Sequence, residues 1–490
     1  MGEKSLKYNF ILNLVNTMAG LLFPLLTFPY VARILEPDGL GLVTFYQNLI
    51  GYITLLSSLG ISLYAVREVA RVKDDHISRS KVTVEILLLH IALTMLGYLA
   101  VGILCLTSER ISAHTAVFLV LSISIFFNAV GVNWFYQAME EFRFITTRSL
   151  FFKCLAAIAL FVFVKSENDI MAYAIILVVA DVGNNILNLL RLRKYISIRA
   201  IHRTSLRIMR HIPPALTIFT LNVAISLYVN FSPVILGFDC DNESVGYFAA
   251  TSRLTTAAMS CVTALAVTLI SRMSYYASHK QFEQFNSTAS KCLNLVICMT
   301  IPIFLGILIT SGQLIPVFSG PDFAPAIPTM RIMSASTIFI GIATIVGYQI
   351  LYPLGNERLL IRSSLIGSIV FFPLCFLLVP RMAQNGAAIA YTATEFTVTA
   401  MLFYYSRRYI KYQLFNRANC LCIAAGLAMC GVIVVLRHFV ELSDIALLLV
   451  EIAVGAVTYI AILSALHHPI AQDISATIKS RITARTHIDN

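Results

Sequence analysis

The sequence predicts an all-α polytopic membrane protein of about fourteen transmembrane helices. These form two six-helix lobes related by an internal repeat, plus two C-terminal helices. Three observations carry this expectation. Hydrophobic residues make up 58% of the 490 residues and charged ones only 12%, about half the charge a soluble chain of this length carries. Apolar stretches at 8–34, 170–190, 290–312 and 445–465 approach or exceed the ~20 residues needed to cross ~30 Å of hydrocarbon. The third is an echo. From Pro29 the chain reads P-Y-V-A-R-I-L-E-P-D-G-L-G, and from Pro233 P-V-I-L-G-F-D-C-D-N-E-S-V-G, with Gly41 and Gly246, and Arg67 and Arg272, each 205 residues apart. Repeated sets of hydrophobic helices are the architecture of many alternating-access transporters.

The predicted spans run in order 8–34, 41–66, 82–106, 115–138, 149–164, 170–190, 212–238, 245–271, 290–312, 329–352, 360–379, 386–405, 419–437 and 445–465. Twelve is the competing count. The first stretch is too long for a secretory signal and no small-residue cleavage site follows it, so it stays as a helix. Pro24 and Pro29 lie inside it. Proline removes a backbone donor and disrupts the helical ladder, so this helix should bend.

Orientation follows from the basic residues. Of the 36, only Arg110, Lys165, Arg381 and Arg437 fall in the loops expected outside. Retention of Lys and Arg in the cytoplasm then places both termini inside. The net charge of +11 is explained by that bias and by attraction to anionic lipid headgroups. Nucleic acid is not an expected partner. The ten cysteines are scattered through the helices in no metal-ligating pattern, and no metal or cofactor is expected. Gly-rich phosphate loops, H-E-x-x-H and nucleophile-elbow motifs are also missing from the sequence, which argues against an enzyme.

The widest internal break is the basic loop from Arg191 to His211. The echo continues across it: Trp134-F-Y-Q-A-M-E-E-F-R-F-I-T-T-Arg148-Ser149 answers Tyr348-Q-I-L-Y-P-L-G-N-E-R-L-L-I-Arg362-Ser363. The expected domains are therefore an N-lobe over 1–195, a C-lobe over 196–415, and two further helices with a tail over 416–490.

Several of these segments carry a family resemblance. F-P-L-L-T-F-P-Y with Arg33 and E-P-D-G-L-G, the A-V-Arg67-E-V-A-R stretch, and G-V-N-W-F-Y-Q-A-M-E-E-F-R-F-I-T-T-R-S resemble the polysaccharide transporters. That group lies within the multidrug/oligosaccharidyl-lipid/polysaccharide exporter superfamily. The resemblance implies a flippase in a bacterial cytoplasmic membrane, moving undecaprenyl-diphosphate-linked oligosaccharide for O-antigen, capsule or exopolysaccharide synthesis. Its implied partners are the lipid-linked oligosaccharide, membrane lipids, H+ or Na+ as coupling ion, and the polysaccharide polymerase machinery.

Candidate site residues follow from chemistry. Arg253 lies about two turns into the eighth span, in A-A-T-S-R-L-T-T. An arginine at the centre of a membrane helix costs roughly 2.5–3.5 kcal/mol on insertion scales unless it meets water or a counter-charge. Its donor fork suits a diphosphate. Arg33 near the outer end of span one, and Arg67 and Arg272 at the inner ends of spans two and eight, are further diphosphate candidates or interface anchors. Tyr46, Gln47 and Asn48, with Asn133, Trp134 and Gln137, could meet the sugar through aromatic faces and amides. Asp181 and Glu395 are the candidates for ion coupling, since acids inside membrane helices often relay ions. The substrate is expected in a hydrated cleft between the lobes, with the last two helices forming a groove for the lipid tail.

Three alternatives stay open. A multidrug or cation exporter should carry acids in span one, which has none. A peptidoglycan-precursor flippase would share the helix count and a cationic cavity. A membrane glycosyl polymerase would need a large outer loop, and the longest here, Gln313–Pro328, is short.

Overall fold

The computed structural model describes residues 3–197, 206–412, 414, 416–470 and 472. Among the described residues the regular structure is entirely helical. Helix α1 (Glu3–Ser58) continues across one non-helical residue, Glu36, with φ 57 and ψ 178. Pro37 follows it and sterically disfavours the helical region for its predecessor. One helix thus holds the first predicted span and most of the second, on either side of the turn at Glu36.

The second span ends earlier than its hydropathy suggests. Leu59 and Gly60 have φ values of 43 and 70, a left-handed pair that helices do not propagate. The chain then turns into the short helix α2 (Ile61–Arg71), which buries Ile61, Tyr64, Ala65 and Val69. Asp75 caps α3 (His76–Thr107) by accepting from the Ile77 N–H, as an N-cap carboxylate does. A single turn, α4 (Glu109–Ser112), leads into α5 (Thr115–Val130).

Val132, at φ 41, breaks the fourth span between α5 and α6 (Asn133–Ala138). Glu140, at φ 59, then turns the chain into α7 (Phe142–Phe163). The fifth span was expected from residue 149, because F-R-F-I-T-T-R is too polar to register as hydrophobic. Structurally it is the first two turns of the same helix. Helix α8 (Ile170–Leu192) follows, then α9 (Ile212–Val229), α10 (Ser232–Asp239) and α11 (Asn242–Ser278).

The remainder comprises α12 (Phe282–Ser319), α13 (Ile327–Ser334), α14 (Ser336–Thr344), α15 (Glu357–Ser406), α16 (Arg417–Phe439) and α17 (Asp444–Ala465). A π-helical turn at Ile345–Leu351 continues α14. It falls where the second repeat answers the break at Val132, so both repeats depart from regular helix at the equivalent place. Ala383, at φ 45 and ψ −125, divides α15 into two spans as Glu36 divides α1.

Nine helices among the described residues are long and apolar enough to cross a membrane, or eleven with two bent pairs counted. Since α1 and α15 each count once despite a break, this accords with the many-helix layout read from the sequence.

By its internal contacts the chain divides into two compact units, Met1–Ala249 and Ala250–Asn490. The lobe boundary drawn at 195/196 follows the repeat, whereas this division follows packing. Glycines bring α9 and α10 close to the first helices. Gly60 lets the Ala215 carbonyl and Phe219 amide approach the α1–α2 corner, and Gly237 lies under the Phe45 ring. In the second unit, α16 and α17 pack together and both lie against α12.

Candidate functional site

A polar cavity of about 280 Å³ lies within the first unit. Helix α6 supplies much of it. The turn at Val132 re-aims the chain, so Asn133 and Gln137, four residues apart, share an exposed face as helical periodicity requires. Both line the cavity with Trp134. The opposite side of α6 is anchored: Phe135 and Tyr136 are fully buried, and the Tyr136 hydroxyl donates to the Asn188 carbonyl at 2.6 Å.

From α7 come Arg148 and Ser149, and from α8 Asp181, Asn184 and Asn185. Asn16 of α1, Ser62 of α2 and Asn128 of α5 complete the polar wall. Gly131 is what allows Asn185 so close, since a Cβ there would overlap its side-chain amide.

Arg148 dominates the electrostatics. It is only 7% exposed, lies 5.2 Å from the centre of the Phe144 ring, and donates from Nη2 to Asn133 Oδ1 at 3.1 Å. Its Nε and Nη1 have no protein partner, and neither does Trp134 Nε1. The side-chain oxygens of Asn16 and Asn184 are likewise unpaired acceptors. Buried polar atoms are nearly always satisfied by protein, water or ligand. Asp181 lines the same space within electrostatic reach of Arg148. A guanidinium and an indole as donors, with amide oxygens as acceptors, suit a hydroxyl-rich ligand carrying negative charge.

A second cation stands nearby in sequence. Lys153, half-buried in α7, faces α1 closely enough that a Cβ on Gly20 would lie 3.7 Å from its Nζ.

Of the residues singled out from the sequence, the structure brings Asn133, Trp134, Gln137 and Asp181 into this cavity. The others lie elsewhere. Arg33 is exposed on α1. Arg67 is exposed on α2, its Nε 3.5 Å from Glu68 and its guanidinium 5.9 Å from the Tyr64 ring centre. Tyr46 is fully buried and donates to the Arg110 carbonyl at 3.1 Å, so it packs helices together. Gln47 and Asn48 are half-buried, and Asn48 donates to Thr44 of its own helix.

In the second unit Arg253 is exposed on α11. Arg272, also exposed, donates from Nε to the Tyr276 hydroxyl at 2.8 Å. Glu395 is buried in α15, hydrogen-bonded to Tyr391.

Sequence reasoning passed over Arg148, Lys153, Asn16 and Asn128. Arg148 had a visible signal. It ends a segment echoed at Arg362.

The model of the family described as "Polysaccharide biosynthesis protein" matches residues 6–277, more than half of the chain and the whole of this cavity. The chain belongs to this family. Within curated proteins, this family member is 24% identical over 413 residues to the "Putative O-antigen transporter" of Escherichia coli (strain K12), covering 82% of this chain and 97% of that one. It is 25% identical over 239 residues to the "Probable low-salt glycan biosynthesis flippase Agl15" of Haloferax volcanii, 49% of this chain and 50% of the relative.

Two solved structures share the fold. One is a lipid II flippase MurJ in an inward closed conformation, with TM-score 0.77, 14% identity, and 94% of this chain and 99% of that chain covered. The other is an inward-facing multidrug resistance MATE family transporter, with TM-score 0.59, 13% identity, and coverages of 79% and 94%. These relatives are named as transporters and flippases rather than enzymes.

Proposed function

We propose that this protein is a flippase for undecaprenyl-diphosphate-linked oligosaccharide repeat units. It would carry them across the bacterial cytoplasmic membrane by alternating access, for O-antigen, capsule or exopolysaccharide synthesis. The observation that carries this reading is the polar cavity of the first unit, with the buried and incompletely paired Arg148 at its wall. A buried cation is costly unless a cavity or an anion receives it. The neighbouring amides offer both donors and acceptors for sugar hydroxyls. The names of the relatives support the same substrate class.

In this reading Asn133, Trp134 and Gln137 contact the glycan. Arg253, Arg33, Arg67 and Arg272 remain the proposed contacts for the diphosphate. Asp181 and Glu395 remain the proposed coupling acids. A gradient of H+ or Na+ drives the cycle only by favouring one access state over the other. The inner membrane is the proposed location, and the placement of Lys and Arg supports cytoplasmic termini.

The test is complementation of strains lacking an O-antigen or capsule flippase, with a lipid II flippase-deficient strain in parallel. Restored surface polysaccharide is the expected result. Arg148→Gln at equal membrane level should reduce it and cause lipid-linked oligosaccharide to accumulate in the inner leaflet. Rescue of the lipid II strain alone would overturn the assignment.

A further inference from the structure

Outside the cavity, a buried and multiply bonded cluster of the first unit joins α2 and α3 to the segment that opens α9. Glu85, Tyr64 and His211 are 0%, 4% and 2% exposed. The Tyr64 hydroxyl lies 2.7 Å from His211 Nδ1, and His211 Nε2 lies 3.0 Å from Glu85 Oε2. That oxygen also accepts from Arg210 Nη2 at 2.5 Å. The other, Oε1, accepts from the Arg207 N–H at 2.6 Å. With Tyr64 donating to Nδ1 and Nε2–H donating to the carboxylate, one imidazole tautomer bonds through both ring nitrogens. The charged groups around it are Arg67, Glu68 and Arg71 from α2, Arg207 and Arg210 from the segment before α9, and Glu85 itself from α3.

Helix α2 links this cluster to the cavity. It hangs from the left-handed pair Leu59–Gly60, a corner about which a short helix can pivot. Two residues beyond that corner, Ser62 lines the cavity. Two residues further on, Tyr64 holds the cluster. Ile61, Tyr64 and Ala65 share one buried core with Trp134, Phe135 and Tyr136 of α6 and with Ala215 of α9. Tyr64 and the cavity-lining Ser62 are thus carried by the same short helix.

We propose that Tyr64, Glu85, Arg210 and His211 form a latch that closes the cavity of the first unit on the side where the basic loops lie. The latch holds α2 against α3 and the start of α9. Breaking it lets α2 swing on Leu59–Gly60 and opens the cavity to that side of the membrane. The same cluster explains why α9 is grouped by its contacts with the first helices, although in the repeat it begins the second half of the chain.

The experiment reads access directly and needs no substrate, so its outcome is independent of the transport reading above. Asn128, which lines the cavity from α5, is replaced by cysteine in a background with the ten native cysteines removed. Labelling by a charged, membrane-impermeant maleimide is then timed in right-side-out and inside-out vesicles. Glu85→Gln and His211→Gln should speed labelling about tenfold, the equivalent of one lost charge-assisted hydrogen bond. The gain should occur only from the face carrying the basic loops.

Tyr64→Phe keeps the ring in the core and removes one bond, so it should give a smaller gain on the same face. It also keeps the idea testable if Glu85→Gln inserts poorly. Unchanged labelling in correctly inserted variants overturns the latch. So does an equal gain from both faces, because that would mean general loosening of the unit.

Discussion

Gly41 and Gly246 meet as a reciprocal pair. A Cβ on Gly41 would overlap the Asn242 carbonyl, and a Cβ on Gly246 would overlap the Pro37 carbonyl. Residues 37 and 242 are themselves 205 apart, the same offset as the glycines. Each repeat therefore presents the same patch to the other, as partners do across a two-fold axis. Asn242 adds polar links, donating to Asp38 Oδ1 at 3.0 Å and accepting from Arg110 Nη2 at 2.8 Å.

Backbone, rather than a yielding side chain, opposes a methyl group at either position. Gly41→Ala and Gly246→Ala should each destabilise the protein by at least the ~1–3 kcal/mol typical of overpacking, and by similar amounts because the contact is reciprocal. Gly51, with nothing within 4 Å of its would-be Cβ, is the control. Gly51→Ala should stabilise by roughly 0.5–1 kcal/mol, as expected for removing a helix-interior glycine. Thermal unfolding of the detergent-solubilised protein distinguishes these cases. A wild-type melting temperature for Gly41→Ala would show that the packing is loose.

Arg253 tests the diphosphate assignment apart from the cavity. It is exposed on α11, between the hydroxyl residues Ser252 and Thr256. Arg253→Ala should lower surface polysaccharide export about 10–100-fold, the range for losing charge-assisted hydrogen bonds of 1.5–3 kcal/mol. Arg253→Lys keeps the charge without the fork and should retain part of the activity. Normal export by Arg253→Ala at unchanged protein level would remove this residue from the site.

The fold was more legible than the site, for a physical reason. Crossing hydrocarbon imposes length and apolarity on every span, and these are readable residue by residue. The breaks at Glu36 and Ala383 differ in this respect. Glu36 is betrayed by Pro37, whereas nothing beside Ala383 signals a positive φ. Of the residues that line the candidate cavity, Asn133, Trp134, Gln137 and Asp181 were readable because polar residues stand out in apolar helices. Arg148 was not, because its importance lies in burial against α6 and α8, which only tertiary packing creates. Tyr46 erred the other way. Its aromatic ring suggested sugar stacking, but the same ring fills a core between Phe45 and Phe118.

Asp169 offers a pH test outside the membrane-spanning helices. Its carboxylate accepts from the Lys165 and Ser166 backbone N–H groups at 2.9 and 2.8 Å and from the Ser166 hydroxyl at 3.0 Å. Those bonds, the Lys165 and Ser166 amides first, hold its pKa below the usual carboxylate value. A depressed folded value means that the turn gains stability above the ordinary range and loses it as pH falls through the folded value. After correction for intrinsic exchange, protection of the Lys165 and Ser166 amides should be constant from neutral pH down to ~4, then fall. Asp169→Asn should weaken protection at neutral pH and abolish the acid step. Hydrogen exchange followed by mass spectrometry reads both.

The last two helices are fastened by an ion pair whose two halves are not equivalent. Arg437 of α16 reaches Glu451 of α17 through Nε at 2.5 Å and Nη2 at 3.0 Å. Its Nη2 also donates to the Ile309 carbonyl at 2.8 Å and Gln313 Oε1 at 2.9 Å, both on α12. The Glu451 side chain is fully buried, whereas that of Arg437 is 28% exposed. Removing the arginine strands a carboxylate with no route to water. Removing the glutamate leaves a guanidinium that keeps its α12 acceptors and some solvent. Arg437→Ala should therefore cost the ~3–5 kcal/mol typical of breaking a buried pair, and Glu451→Ala distinctly less. Combining Arg437→Met with Glu451→Leu replaces both charges by apolar volume and should recover most of the loss. Equal destabilisation by the two single alanine variants would mean that the burial difference has no energetic consequence, and that the pair acts chiefly through the bonds to α12.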